Sequence, residues 1–334
     1  MDKRKAAAIL FAVLAALFYA ANMPFSKLLL KEIEPTFLAS FLYLGAGFGI
    51  GILYLFGKAR KRKEEEKLTA KDLPYTIGMI VLDIAAPILL MAGLKSATSS
   101  NASLLGNFEI VATSILAMLV FREKISVRLW AAISLITAAS ILLSFEDLTA
   151  FRFSTGSLFI LGATVCWGLE NNCTRKISSK NTYQIVTLKG IFSGLGSFVV
   201  ALIQGEHLPE ARFIVYAMLL GFLAYGFSIF LYIRAQKVLG AAKTSAYYAV
   251  APFAGAFLSF LILKEPIRSS YILALAVMLA GSVLVVVDTM IRNHAHLHTH
   301  TFVHIHDGKI HVHTIEHMHD HNHLVNDHTH MHHH

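Results

Sequence analysis

The chain has 334 residues, 55% of them hydrophobic and 15% charged, with a formal net charge of +8. A soluble domain carries about 25% charged residues, so a mean hydropathy of +0.59 points to a bilayer rather than to a soluble enzyme. No soluble domain with interleaved aromatics accompanies the positive charge, which sets nucleic-acid binding aside.

Ten apolar windows follow one another, at roughly 6–26, 35–57, 74–94, 102–121, 128–145, 156–174, 184–203, 212–233, 242–263 and 270–290. Most approach the ~20 residues with which a helix crosses the hydrocarbon core. Only helices satisfy their own backbone within lipid over such lengths, and the alternation expected of a barrel is absent. Most of the 29 basic residues fall where one side of the membrane would be if the N-terminus is cytoplasmic: Lys3-Arg4-Lys5, Lys58–Lys71, Arg122–Arg128, Arg175–Lys180, Arg234–Lys243 and Arg292. The positive-inside rule then predicts both termini inside. Lys3-Arg4-Lys5 ahead of an apolar run also resembles a cleavable leader. The run continues through Phe25 to Leu30, however, and the first window is expected to stay as a helix.

Polar residues inside these windows are the informative ones, because ionisable groups are expensive in a membrane. The first window carries Tyr19, Asn22 and Pro24. The second carries Gly45/Gly49 and Gly47/Gly51, a spacing that lets helices approach closely. Between the second and third lies a solvated linker, Lys58–Asp72. Asp83 lies in the middle of the third window with Pro87 one turn on. A proline there frees a carbonyl that could face a cavity. In the fourth window Glu109 shares a face with Gly106 and Thr113, an inward-looking stripe. A cavity carboxylate without a fixed cation can take up and release a proton, so Asp83 and Glu109 are candidate coupling sites.

The sixth window is the richest, with Trp167, Glu170, Asn171, Asn172 and Thr174; Cys166 and Cys173 read as small buried apolar residues, not a disulfide framework. The seventh holds Lys189 together with Gly190/Gly194. Glu170 is four residues before Thr174 and Lys189 five after Gln184. At ~1.5 Å per residue the two should lie at nearly equal depth on sequential helices and pair. Tyr225, Ser228 and Tyr232 in the eighth window, with Tyr247, Tyr248 and Pro252 in the ninth, complete a candidate small-molecule pocket. The proposed lining is Asn22, Asp83, Glu109, Trp167, Glu170, Asn171, Asn172, Lys189, Tyr225, Ser228 and Tyr247. No nucleophile–base pair, phosphate loop or H-E-x-x-H element points to an enzyme.

A segment occurs twice, 142 residues apart: Leu119-Val120-Phe121-Arg122-Glu123-Lys124-Ile125 and Leu261-Ile262-Leu263-Lys264-Glu265-Pro266-Ile267. In the same register Ser103 meets Ser245, Ser140 meets Ser282 and Leu142 meets Leu284. The expected architecture is an all-α membrane protein of ten transmembrane helices. Residues 1–147 and 156–290 would form two five-helix repeats, inverted because five is odd.

After Ile291 the composition changes. Of the 18 histidines all but His207 fall in 294–334, mostly as H-x-H. This tail, 291–334, is expected to be cytoplasmic and, being poor in apolar residues, disordered. His296, His298, His300, His304, His306, His311, His313, His317, His319, His321 and His323 are candidate ligands for Zn, Ni, Co or Cu.

The two L-x-x-x-E turns at Leu119–Glu123 and Leu261–Glu265, each followed by Ile and a final helix, resemble the EamA-like branch of the drug/metabolite transporter superfamily over about 6–290. A narrower subgroup with His-rich tails is similar at Pro87–Leu94, Ala102–Thr113, Cys166–Ser178 and Leu239–Gly255. The resemblance implies a multi-pass permease of the plasma membrane with a small-molecule substrate and no required cofactor. Glu170-Asn171-Asn172 departs from the commonest pattern, so no binding site is carried over. Three readings follow: a metabolite carrier working by alternating access, with proton coupling; a divalent transition-metal carrier or metal-regulated permease that collects or senses the ion with its tail; and a membrane-anchored metal sensor that transports nothing.

Overall fold

The computed structural model describes residues 3–58, 66–122, 125–147, 152–177, 180–239, 244, 247–267, 269–306 and 309–324. Glu123, Ser245, most of the charged linker and residues 325–334 lie outside the described residues. The membrane part is helical: α1 (Lys3–Ala20), α2 (Asn22–Leu29), α3 (Pro35–Lys58), α4 (Leu73–Ser96), α5 (Ser99–Leu105), α6 (Phe108–Phe121), α7 (Val127–Ser144), α8 (Thr155–Ile177), α9 (Thr182–Ile203), α10 (Ala211–Gly221), α11 (Ser228–Leu239), α12 (Ala251–Leu263) and α13 (Ser269–Met290). With α1 and α2 taken together, and likewise α5 with α6 and α10 with α11, eight helical stretches among the described residues are long and apolar enough to cross a membrane. The two remaining expected spans are α8, whose polar cluster lowers its hydropathy, and α12, which is 13 residues long.

Starts and stops follow local chemistry. The Ser126 hydroxyl accepts from the backbone N–H of Leu129 at 3.0 Å, and the Asn181 side chain accepts from Gln184 at the same distance, each capping a helix. Helices α6 and α12 end alike, with Arg122 at φ 55° and Lys264 at φ 51°. A left-handed residue closing a helix is usually glycine; here the two copies of the repeated segment share the same uncommon backbone.

Packing repeats as well. Helix α3 lies on α9, α4 on α8, α11 on α1, α5 on α12 and α7 on α13. Exchanging the two halves sends α3–α9 and α7–α13 each to itself, and α4–α8 to the α1–α11 pairing. The small-residue stripes meet as their spacing suggests. A Cβ on Gly190 would fall 2.4 Å from Gly47 Cα, and one on Gly45 2.0 Å from Met218 O, so these backbones touch. Leu55, Phe56, Ile203, Phe257 and Leu261 are exposed, while Asn22, Asp83 and Ser193 are fully buried. That distribution inverts the soluble pattern and fits a lipid surround.

Short strands β1 (Phe145–Asp147) and β2 (Arg152–Phe153) pair at the junction of the halves. The tail differs from expectation. It forms an antiparallel ribbon of β3 (Ile291–His306) and β4 (Lys309–Leu324) rather than disorder. The physical reason is its period-two alternation, with Thr, Val and Ile interleaved among the histidines, which suits a strand.

Candidate functional site

Three helices meet at Lys189. It projects from α9, and its Nζ lies 3.0 Å from Asp83 Oδ2 on α4 and 3.1 Å from Glu170 Oε1 on α8. Asp83 is 0% and Glu170 2% exposed, against 20% for Lys189. The expected Glu170–Lys189 pair is present. The expectation that Asp83 lacks a fixed cation is corrected: one ammonium serves both acids, because α4 packs against α8 and α9 together. Pro87, inside an otherwise continuous α4, lacks an N–H and so frees the carbonyl of Asp83, four residues back.

Hydroxyls and amides extend the cluster. Tyr43 donates to Asp83 Oδ1 at 3.0 Å, and Trp167 Nε1 donates to the Tyr43 oxygen at 3.3 Å. Thr174 donates to Glu170 from one turn below. Asn171 Nδ2 donates to Glu109 Oε1 at 2.6 Å and reaches Thr113 Oγ1 at 3.3 Å. Asn172 turns instead to the carbonyls of Gly168 and Thr113, at 2.8 and 3.3 Å. Its amide ties α8 to α6.

A second chain of groups rises beside the first. Asn22 Nδ2 donates to Tyr225 OH at 2.7 Å, and Ser26 donates back to Asn22 Oδ1 at 3.0 Å. The Tyr225 ring lies 5.5 Å from Tyr43 and 6.0 Å from Tyr19; Tyr19 lies 5.8 Å from Tyr248. Ser228 donates to the Ala15 carbonyl at 2.8 Å and sits 3.4 Å from Tyr248 OH. Tyr247 is 38% exposed and stands apart; its neighbour Tyr248 is the one that faces inward. Sequence reading also missed Tyr43, which shares a glycine-rich apolar window with Thr36, Ser40 and Tyr54 and carries no charge to single it out.

Helix irregularities position these groups. The fourth window breaks at Gly106–Asn107, and Glu109 falls in the first turn of α6. The ninth breaks at 249–250, just before α12 begins at Ala251. These breaks occupy equivalent places in the two halves, and discontinuous helices commonly flank the midplane sites of carriers. Between α10 and α11, residues Phe222–Phe227 form a π-helical turn that contains Tyr225. Such turns recur at functional sites.

A lipid-facing apolar shell around a paired, hydroxyl-linked charge cluster defines a multi-pass membrane protein of the transporter class. Residues 6–145 and 154–287 match the EamA-like transporter family, and the chain belongs to it. An uncharacterized transporter of Methanothermobacter thermautotrophicus is 25% identical over 287 residues, covering 80% of this chain and 83% of that one. The uncharacterized transporter YyaM of Bacillus subtilis is 20% identical over 275 residues, covering 80% and 89%. A solved crystal structure, described only as that of a protein, has a TM-score of 0.60 at 14% identity, over 84% of this chain and 96% of its own, and bears on the fold alone.

Proposed function

We propose that the protein is a secondary transporter that moves a small polar or amphipathic metabolite across the cell membrane by alternating access between its two halves. The observation that carries this reading is Lys189 held between Asp83 and Glu170 where three helices from both halves converge. Pairing keeps a buried cation and its acids tolerable, and an arrangement of several weak partners can be re-formed around a substrate. In this reading ten spans, related by inversion, place both termini in the cytoplasm, as the distribution of Lys and Arg favours.

Glu109 is the proton-exchanging group. Its partner is the neutral amide of Asn171, with no cation in hydrogen-bond reach among the described residues, so its charge can change without breaking an ion pair. Asn22, Trp167, Asn171, Asn172, Tyr225 and Ser228 supply the hydrogen-bonding and aromatic lining. A carrier of transition metals is less well supported. Among the described residues no group of three or more His, Cys, Asp or Glu side chains is placed to hold a metal ion.

Metabolite and metal profiles of cells lacking or overproducing the protein would name the substrate. Reconstituted into liposomes, the protein should drive its flux with an imposed pH gradient. Glu109→Gln should abolish that pH dependence while leaving the fold intact; unchanged coupling in this variant refutes the role given to Glu109.

A further inference from the structure

The polar interior holds more acid than base. Among the described residues Lys189 is the ammonium of the cluster, and Asp83 and Glu170 already share it. Lys27, on α2, is spent on the carbonyls of Leu94, Lys95 and Ala97 at the end of α4. Glu109 is a third acid, within electrostatic reach of Glu170 and Lys189. Fully ionised, three acids face one lysine, and unbalanced charge inside a membrane is costly. The site therefore has to recruit positive charge, as protons or as a ligand.

Glu109 is the seat open to a ligand. Asp83 and Glu170 are buried, whereas Glu109, Thr113, Asn171, Tyr19 and Tyr248 are each half-buried. A carboxylate turned to acyl chains is untenable, so the space beside Glu109 is a water-filled crevice. The residue lies in the first turn of the 14-residue α6, whose unpaired N–H groups favour the ionised form. Its side-chain partner is a neutral amide, that of Asn171. Tyr19, Tyr225 and Tyr248 are within its electrostatic reach. Helix α7, packed on α6, brings no ionisable side chain beyond Arg128 in its first turn. The Tyr19 ring stands 6.0 Å from Tyr225 and 5.8 Å from Tyr248, and ring faces beside an anion attract an ammonium ion. We propose that this crevice binds an organic cation, a protonated amine with an apolar body and no acidic group, its ammonium against Glu109 and its body against Tyr19 and Tyr248. Such a cation is the substrate class of the proposed carrier and rests on that reading. Amine and proton exclude one another at a single carboxylate. The amine therefore enters as the Glu109 proton leaves, and the net charge of the site is unchanged. An acidic substrate would deepen the excess of negative charge, and Lys189 is already held by two partners.

Calorimetric titration of the purified full-length protein in detergent tests this with three probes of one skeleton: phenethylamine, phenethyl alcohol and phenylacetate. The amine should bind tightest, by at least about tenfold, the scale of one charge-assisted contact. In weak buffer it should release protons that the alcohol does not. Its affinity should fall by up to about tenfold for each pH unit of acidification, the limit for one competing proton. Glu109→Gln should abolish both the preference for the amine and its pH dependence. Tyr248→Leu should weaken the amine about 3–30-fold, the range of one cation–π contact, and Tyr248→Phe, which keeps the ring face, should recover most of that loss. Melting profiles show which variants are folded, and the Tyr248 pair decides the matter should Glu109→Gln not fold. Equal binding of amine and alcohol, tighter binding of phenylacetate, or unaltered amine binding by Glu109→Gln overturns the cationic class. So does an absence of amine binding by the wild type. The carrier reading falls separately, if the substrate named by metabolite profiles shows no flux in liposomes.

Discussion

Lys189 has two acids, and that count decides what its loss does. Lys189→Met leaves Asp83 and Glu170 buried 3 Å-scale neighbours of a neutral side chain, and breaking a buried pair costs about 3–5 kcal/mol. The expected result is a large fall in thermal stability in detergent and loss of transport. Adding Asp83→Asn and Glu170→Gln to the same protein should recover stability but not transport. Unchanged folding and flux in Lys189→Met alone would remove the cluster from the account. Half of this site was legible beforehand. Glu170 and Lys189 sit on sequential helices, so residue rise alone sets their relative depth. Asp83 reaches Lys189 and Tyr43 reaches Trp167 through packing between helices distant in sequence, which no spacing rule reaches. The choice of Tyr247 over Tyr248 failed for a similar reason: the helix breaks at 249–250, so periodicity beyond the break does not fix the face before it.

The helices carry two further tests. Gly190 and Gly47 touch backbone to backbone, so Gly190→Leu should overpack the α3–α9 contact by at least about 1–3 kcal/mol. Gly51→Ala makes a useful contrast, since its new methyl meets only the Thr187 side chain, Cγ2 at 3.3 Å and Oγ1 at 3.9 Å; the two variants should differ clearly in melting temperature and yield. Their small-residue spacing was readable in both windows. The breaks in the fourth and ninth windows were not, because Gly106-Asn107 and Ala249-Val250 lie inside windows whose overall hydropathy still suits a continuous span. Carboxylates also fasten helix starts. Glu265 accepts from the N–H groups of Ser99 and Ser100 at 2.6 and 2.9 Å, and Glu206 from those of Phe37 and Thr36 at 2.8 and 3.0 Å. Each joins one half to the other. If alternating access operates, these are outer clamps, and Glu265→Gln should speed labelling of a Ser100→Cys protein by an impermeant maleimide added outside. An unchanged rate would show that Glu265 is a cap and nothing more.

For the molecule as a whole, the doubled segment foretold the exchange symmetry of the packing, because each copy must close a helix in the same manner. It gave no warning that the tail would form a ribbon, since low apolar content argued for disorder while the two-residue period argued for strands, and the period prevailed. The matching register has exceptions of chemical weight, Asp83 opposite Tyr225 among them. Glu109 in the first half corresponds, 142 residues on, to Ala251. A faultless duplicate would present the two sides of the membrane with conformers of equal free energy. If Glu109 exchanges a proton as proposed, an acid with no counterpart lifts that degeneracy; ambient acidity should then tilt the resting population toward one side, and Ala251→Glu should shift the tilt, as read from the ratio of inner to outer thiol reactivity.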